Sequence, residues 1–124
     1  KTSVGEHALP LGVTGVALWL VGALIVRSMP GLFESRIKLV LVFLVMPLVG
    51  WLLLRVMGAI LGMERPRQLG AAAVLAGTAL VCHALAMVWW PTLYGSDEMI
   101  VRNGAAWLMF GFASLIGTAW FAAE

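Results

Sequence analysis

The chain has 124 residues, 62% of them hydrophobic and 11% charged, with a formal net charge of +2 and a mean hydropathy of +1.00. A soluble domain of this size carries roughly 25% charged residues and about 45–50% apolar ones, and a small core has too little interior to absorb the excess. The composition excludes a water-soluble globule, and the dispersed charges exclude the dense basic face that nucleic-acid binding requires.

An integral, all-α membrane protein is predicted, with the lipid bilayer as its first partner and no nucleic acid. The hydrocarbon layer is about 30 Å thick and needs about 20 apolar residues to cross as a helix. Four such stretches occur, at approximately 8–27, 38–62, 68–90 and 104–123. They predict a single transmembrane domain over 1–124, a four-helix bundle running up-down-up-down with short loops.

The first stretch, Ala8 to Val26, begins beside Pro10, a residue tolerated at a helix start, and is closed by Arg27 and the turn signal Pro30-Gly31. It is too long for a secretory h-region, and no cleavage site followed by a soluble domain comes after it. We therefore read it as a span. Gly12, Gly15 and Gly22 offer a close-packing face. Trp19 falls inside the span, where a packing role is expected. The short segment Pro30 to Arg36 is expected at the interface.

The second stretch, Lys38 to Gly62, contains Pro47, which predicts a kink, and Gly50, which permits close approach. It also contains Trp51 and Arg55. Arg55 lies seven residues, about 10 Å, from the helix end. Its long side chain can snorkel to lipid phosphate, or pair with a carbonyl or a partner's acid. Glu64-Arg65-Pro66-Arg67 is read as a polar connector, with Arg65 and Arg67 contacting headgroups or a partner.

The third stretch runs from Gln68 to Trp90 and stops at Pro91. At 100° per residue, Ala72, Ala76, Ala79, His83 and Trp90 share one face, with Ala86 at its edge. Ala73-xxx-Gly77 is a second small-residue pair. Small residues mark faces where helices approach closely in membranes, so His83 is expected in a helix–helix contact. Three roles stay open for it: a hydrogen bond to another helix, an axial ligand to a haem or chlorophyll-type pigment, or a proton relay. No Asp or Glu inside a span partners it, and His7 sits at the end of the first helix. No cofactor is required by the sequence. Trp89 and Trp90, with Tyr94 nearby, fit the aromatic interface belt and are read as headgroup or partner contacts.

The fourth stretch, Gly104 to Ala123, is preceded by Ser96-Asp97-Glu98, which resembles an N-cap with acids in the first turn. Glu98 and Arg102 stand four apart and are positioned to pair. Gly104, Gly111, Ala113 and Gly117 predict further close packing. Trp107 and Trp120 suit the interface.

Chemistry-bearing patterns are missing. There is no nucleophile–base pair, phosphate-cradling loop, carboxylate pair or metal-ligand spacing, and the one cysteine, Cys82, has no partner. Thr14, Thr78, Ser114 and Thr118 are expected to bond their own backbone. The protein is read as not an enzyme.

Orientation is balanced. Lys1, Arg55, Arg65 and Arg67 fall on the side of the termini, and Arg27, Arg36, Lys38 and Arg102 on the other. The compactly basic connector favours cytoplasmic termini.

The segments MPLVGWLLLRVMG, RPRQLGAAAVLAGTALVCHALAMVWWPTLYG and GAAWLMFGFASLIG together resemble a family of small four-span bacterial membrane proteins of unknown function. The resemblance implies a four-span bundle in the bacterial inner membrane and, because the family has no assigned activity, supplies no function. Leu-Asp is the family's expected pair where this chain has Cys82-His83.

Two functions are carried forward. One is an accessory subunit packing against a larger membrane complex, respiratory or photosynthetic. The other is a small oligomeric transporter using His83 in proton coupling. Four-span multidrug exporters are similar in size and loop charge but depend on a glutamate in the first span, and GVTGVALWLVGALIV holds no acid.

Overall fold

A computed structural model describes residues 7–123, and Lys1, counted above for orientation, lies outside the described residues. Four helices account for nearly all of it: α1 (Ala8–Ser28), α2 (Arg36–Leu61), α3 (Arg65–Trp89) and α4 (Glu98–Ala123). Each is long and apolar enough to cross a membrane. The shortest, α1, has 21 residues and reaches about 32 Å, enough for the hydrocarbon layer. The protein is an all-helical, multi-pass membrane bundle.

Helix boundaries follow local chemistry. α2 ends at Gly62, whose φ of 65° suits a residue without a Cβ, while Met63 N donates to Gly58 O at 3.0 Å and closes the turn. α3 starts at Arg65, three residues before the expected Gln68, because Pro66 sits in the first turn, where its missing N–H costs no helical bond. Arg65 and Arg67 thus belong to a helix and not to a loop. α4 starts at Glu98 and is capped by Asp97, not Ser96: Asp97 Oδ1 accepts from Met99 N at 2.9 Å and Ile100 N at 3.1 Å. α2 continues as a helix through Pro47.

Connections place the start of α1, the end of α4 and the Gly62–Glu64 connector at one end of the bundle. The segments 29–35 and 90–97 lie together at the other. Arg27, at the end of α1, donates to Thr92 O at 2.6 Å, and Asn103 of α4 donates to Phe33 O at 2.8 Å. Each bond ties one of the two segments to a helix at that end, the first to α1 and the second to α4. Pro30–Phe33 forms a 3-10 turn whose Phe33 is fully buried against Trp107, with ring centroids 5.3 Å apart. It folds onto the helices, tighter than a segment merely resting at the interface.

Packing is not sequential. α3 lies between α1 and α4, and α2 rests mainly on α4; among the described residues α1 and α2 make almost no contact. α3 and α4 therefore form the centre. Ala72, Ala76 and Ala79 of α3 are fully buried, so the alanine face is spent inside the chain. With no methylene-rich side chains to separate them, α1 comes close enough that a Cβ on Gly15 would strike the Leu75 carbonyl. Gly50 brings α2 within van der Waals reach of the Leu115 backbone, where an added Cβ would stand 3.3 Å from Leu115 Cα. Gly104 accommodates Val26, and Gly111 accommodates Met46. Gly77 and Gly117 differ from the close-packing expectation: a Cβ on either meets nothing within 4 Å, because each sits off the buried rows of its helix.

Between α1 and α2 an apolar groove of about 230 Å³ remains, walled by Leu18, Val21 and Ile25 on one side and Val45, Val49 and Leu53 on the other. Its floor is α4, at Leu108, Gly111 and Leu115.

Candidate functional site

His83 is 4% exposed, on the inward face of α3. Its Nδ1 lies 2.7 Å from the hydroxyl of Tyr94, and the two rings meet edge to face with centroids 5.5 Å apart. Pro91 stops α3, a 3-10 turn follows at Pro91–Leu93, and Gly95 takes a φ of 133°. The chain thereby doubles back and drives Tyr94, fully buried, down between the helices. Tyr94 is thus a core residue and not an interface anchor. The third member is Trp19 of α1, whose Nε1 donates to Tyr94 Oη at 2.9 Å. Its deep position, unexplained by the interface pattern, follows from this bond.

The donors decide the tautomer. Trp19 can only donate, so Tyr94 accepts from it and has one hydrogen to give. Giving that hydrogen to His83 Nδ1 leaves a single orphan, the Nε2–H; the other tautomer would strand both the phenol hydrogen and the Nε2 lone pair. The first arrangement wins on the cost of unpaired buried groups. His83 Nε2 is buried with no partner among the described residues. Burial pushes the Tyr94 phenol above its ordinary value of 10.0, outweighing the opposite pull of the Trp19 bond. It remains a neutral donor through the physiological range.

A haem or chlorophyll-type ring held through His83 would need a deprotonated Nε2 and open space beside it. That nitrogen is enclosed by protein and carries the proton in the favoured tautomer. The arrangement does not fit such a ring. Among the described residues no group of three His, Cys, Asp or Glu side chains is placed to hold a metal ion.

Tyr94 also forms part of the wall of a cavity of about 450 Å³ at the loop end, together with Arg27, Glu34 and Asp97. The anticipated Glu98–Arg102 ion pair is not formed.

At the opposite end Arg55 and Arg65 line a cavity of about 580 Å³ with Gln68. The Arg55 guanidinium lies over Trp51, 5.3 Å from the ring centroid. Arg67 is outside that lining. Trp89 and Trp90 are exposed at 76% and 57%, at the loop end of α3. Thr14, Thr78 and Thr118 each bond the carbonyl four residues back, at 2.7–2.8 Å. Trp107 Nε1 donates to Val42 O at 3.0 Å, one residue before the carbonyl that Pro47 leaves without its helical donor.

Sequence reasoning named His83 and missed its partner. The available signal was the chain's one tyrosine, three residues after a helix-stopping proline and followed by a glycine. No protein-family model, curated protein or solved structure matches this chain.

Proposed function

We propose that the protein is a non-catalytic subunit that packs against a larger membrane assembly of the bacterial cytoplasmic membrane, with both termini in the cytoplasm. One observation carries this reading: the open seam between α1 and α2. α2 buries only Gly50, Leu54 and Gly58, and its outward residues Ile37, Leu41, Leu44, Leu48 and Leu52 are all exposed. A groove walled by two helices and floored by a third, about 230 Å³ in volume, has room for side chains of another transmembrane helix laid along the seam. Close packing, not hydrophobicity, would hold such a helix there.

Extraction of the native protein in mild detergent, followed by particle sizing, tests this. Migration within a large complex is expected, and Val49→Trp, which fills the groove, should release the chain from it. A small homogeneous oligomer as the only native form would refute the reading.

A second reading is favoured by the loop-end cavity that Tyr94 helps to wall. Glu34 and Asp97 share its wall with Tyr94, whose hydroxyl is bonded to His83 Nδ1 inside the bundle. Ionisable groups gathered at the cavity and in the bundle beside it suit proton-coupled transport by an oligomer. In reconstituted vesicles His83→Gln should then abolish proton-driven flux, and unchanged flux would exclude it.

A further inference from the structure

We propose that the cavity beside Arg55 and Arg65 is a binding site for a phosphate group bearing net negative charge, independent of both functional readings above. Two guanidinium-bearing residues, Arg55 from α2 and Arg65 from the first turn of α3, line one space of about 580 Å³, and no Asp or Glu lines it. Among the described residues neither arginine makes an ion pair, so the cavity gathers positive charge with no counter-ion from those residues. Arg55 stands six residues before the end of α2, at a depth where an unsolvated cation in hydrocarbon is costly. The cavity removes that conflict by bringing an anion to the guanidinium.

The rest of the lining fits the same group. Trp51 lies under the Arg55 guanidinium, which leaves the edge of the planar fork free for bidentate contact with phosphate oxygens. Gln68 is held by its bond to Met63 O at 3.2 Å, and Gly58 lies against it where a Cβ would collide with the Gln68 amide. Thr118 of α4 also borders the cavity, its hydroxyl hydrogen already given to Ser114 O, so the donors for an anion come from the arginines. The phosphate belongs either to an anionic lipid headgroup or to a soluble phosphate compound.

Protein purified in a non-ionic detergent is titrated with dioleoyl phosphatidylglycerol, dioleoyl phosphatidylcholine or sodium phosphate, and bound species are counted by native mass spectrometry. Phosphatidylglycerol is expected to be retained over phosphatidylcholine. Arg55→Gln and Arg65→Gln should each weaken that retention about tenfold, the size of one lost charge-assisted hydrogen bond.

Arg67→Gln removes the same charge from the same end but outside the cavity and should leave retention within about twofold. Displacement of the lipid by millimolar phosphate assigns the site to soluble phosphates, and resistance to it assigns the site to a headgroup. Circular dichroism verifies that each variant is folded, and Arg55→Lys, which keeps the charge but loses the fork, should bind at an intermediate level. Equal retention of the two lipids, or equal effects of all three glutamine variants, would overturn the proposal.

Discussion

Removing one oxygen tests the centre of the bundle. Tyr94→Phe deletes the hydroxyl that joins Trp19 Nε1 at 2.9 Å and His83 Nδ1 at 2.7 Å while keeping the buried ring. Interhelical hydrogen bonds in membranes average about 0.6 kcal/mol and reach about 1.7. Two bonds are lost and His83, 4% exposed, cannot turn to water for replacement. The expected loss is therefore about 2 kcal/mol, in a range of about 1–3. Unfolding by dodecyl sulfate in mixed micelles, followed by tryptophan fluorescence, reads this as a lower midpoint. The same change made in a His83→Leu background should cost only about 1 kcal/mol, because the Trp19 bond alone remains to be broken. A cost below about 0.3 kcal/mol, or an equal cost in both backgrounds, would refute the network as the element that ties α1, α3 and the loop together.

Other perturbations separate packing from position. Gly15→Ala places a Cβ on the Leu75 carbonyl and should destabilise the bundle by about 1–3 kcal/mol in the same titration, whereas Gly77→Ala, with open space around it, should be neutral or slightly stabilising. Ala76→Leu and Ala79→Leu, at positions fully buried within the chain, should lower the stability of the isolated protein itself. Because burial raises the Tyr94 phenol, the folded state favours the protonated form. Stability should be flat at neutral pH and fall as the pH climbs through the raised value, above about 10; Tyr94→Phe should lack this alkaline fall. Arg27→Gln loses the bonds to Thr92 O and Leu93 O and should increase protease cleavage in the segment 90–97 with little change in helix content by circular dichroism.

The spans were legible because hydropathy and length are strong constraints in a bilayer. The helix boundaries fall within three residues of their expected places except at α4, which starts at Glu98, six residues before Gly104, under the Asp97 cap. Pairing of the helices was not. In water a helix advertises its inward face by keeping polar residues off it; in lipid both faces are apolar, and only small residues hint at contact. Gly15 and Gly77 look alike in the sequence, yet one touches a neighbouring backbone and the other touches nothing. The site was half legible. A histidine among alanines announces itself, but its partner enters from a loop, and the periodicity of a helix carries no information about where a loop folds back. Tyr94 fits the interface belt by composition and was drawn inward by the turn that Pro91 and Gly95 create.

The order of neighbours in space also sets an order in time. During synthesis α1 and α2 leave the insertion machinery first, and they are the two helices with almost nothing to hold each other by. A nascent chain stopped after Leu61 consists of two separate spans adrift in lipid. α1 gains its mate when α3 arrives, bringing the alanine face, and α2 waits for α4, which follows the other three in the chain. These contacts predict biogenesis by late capture, in which the central hairpin of α3 and α4 gathers helices already in the membrane. Truncations that remove α4 should leave α2 as the orphan and the target of membrane quality control.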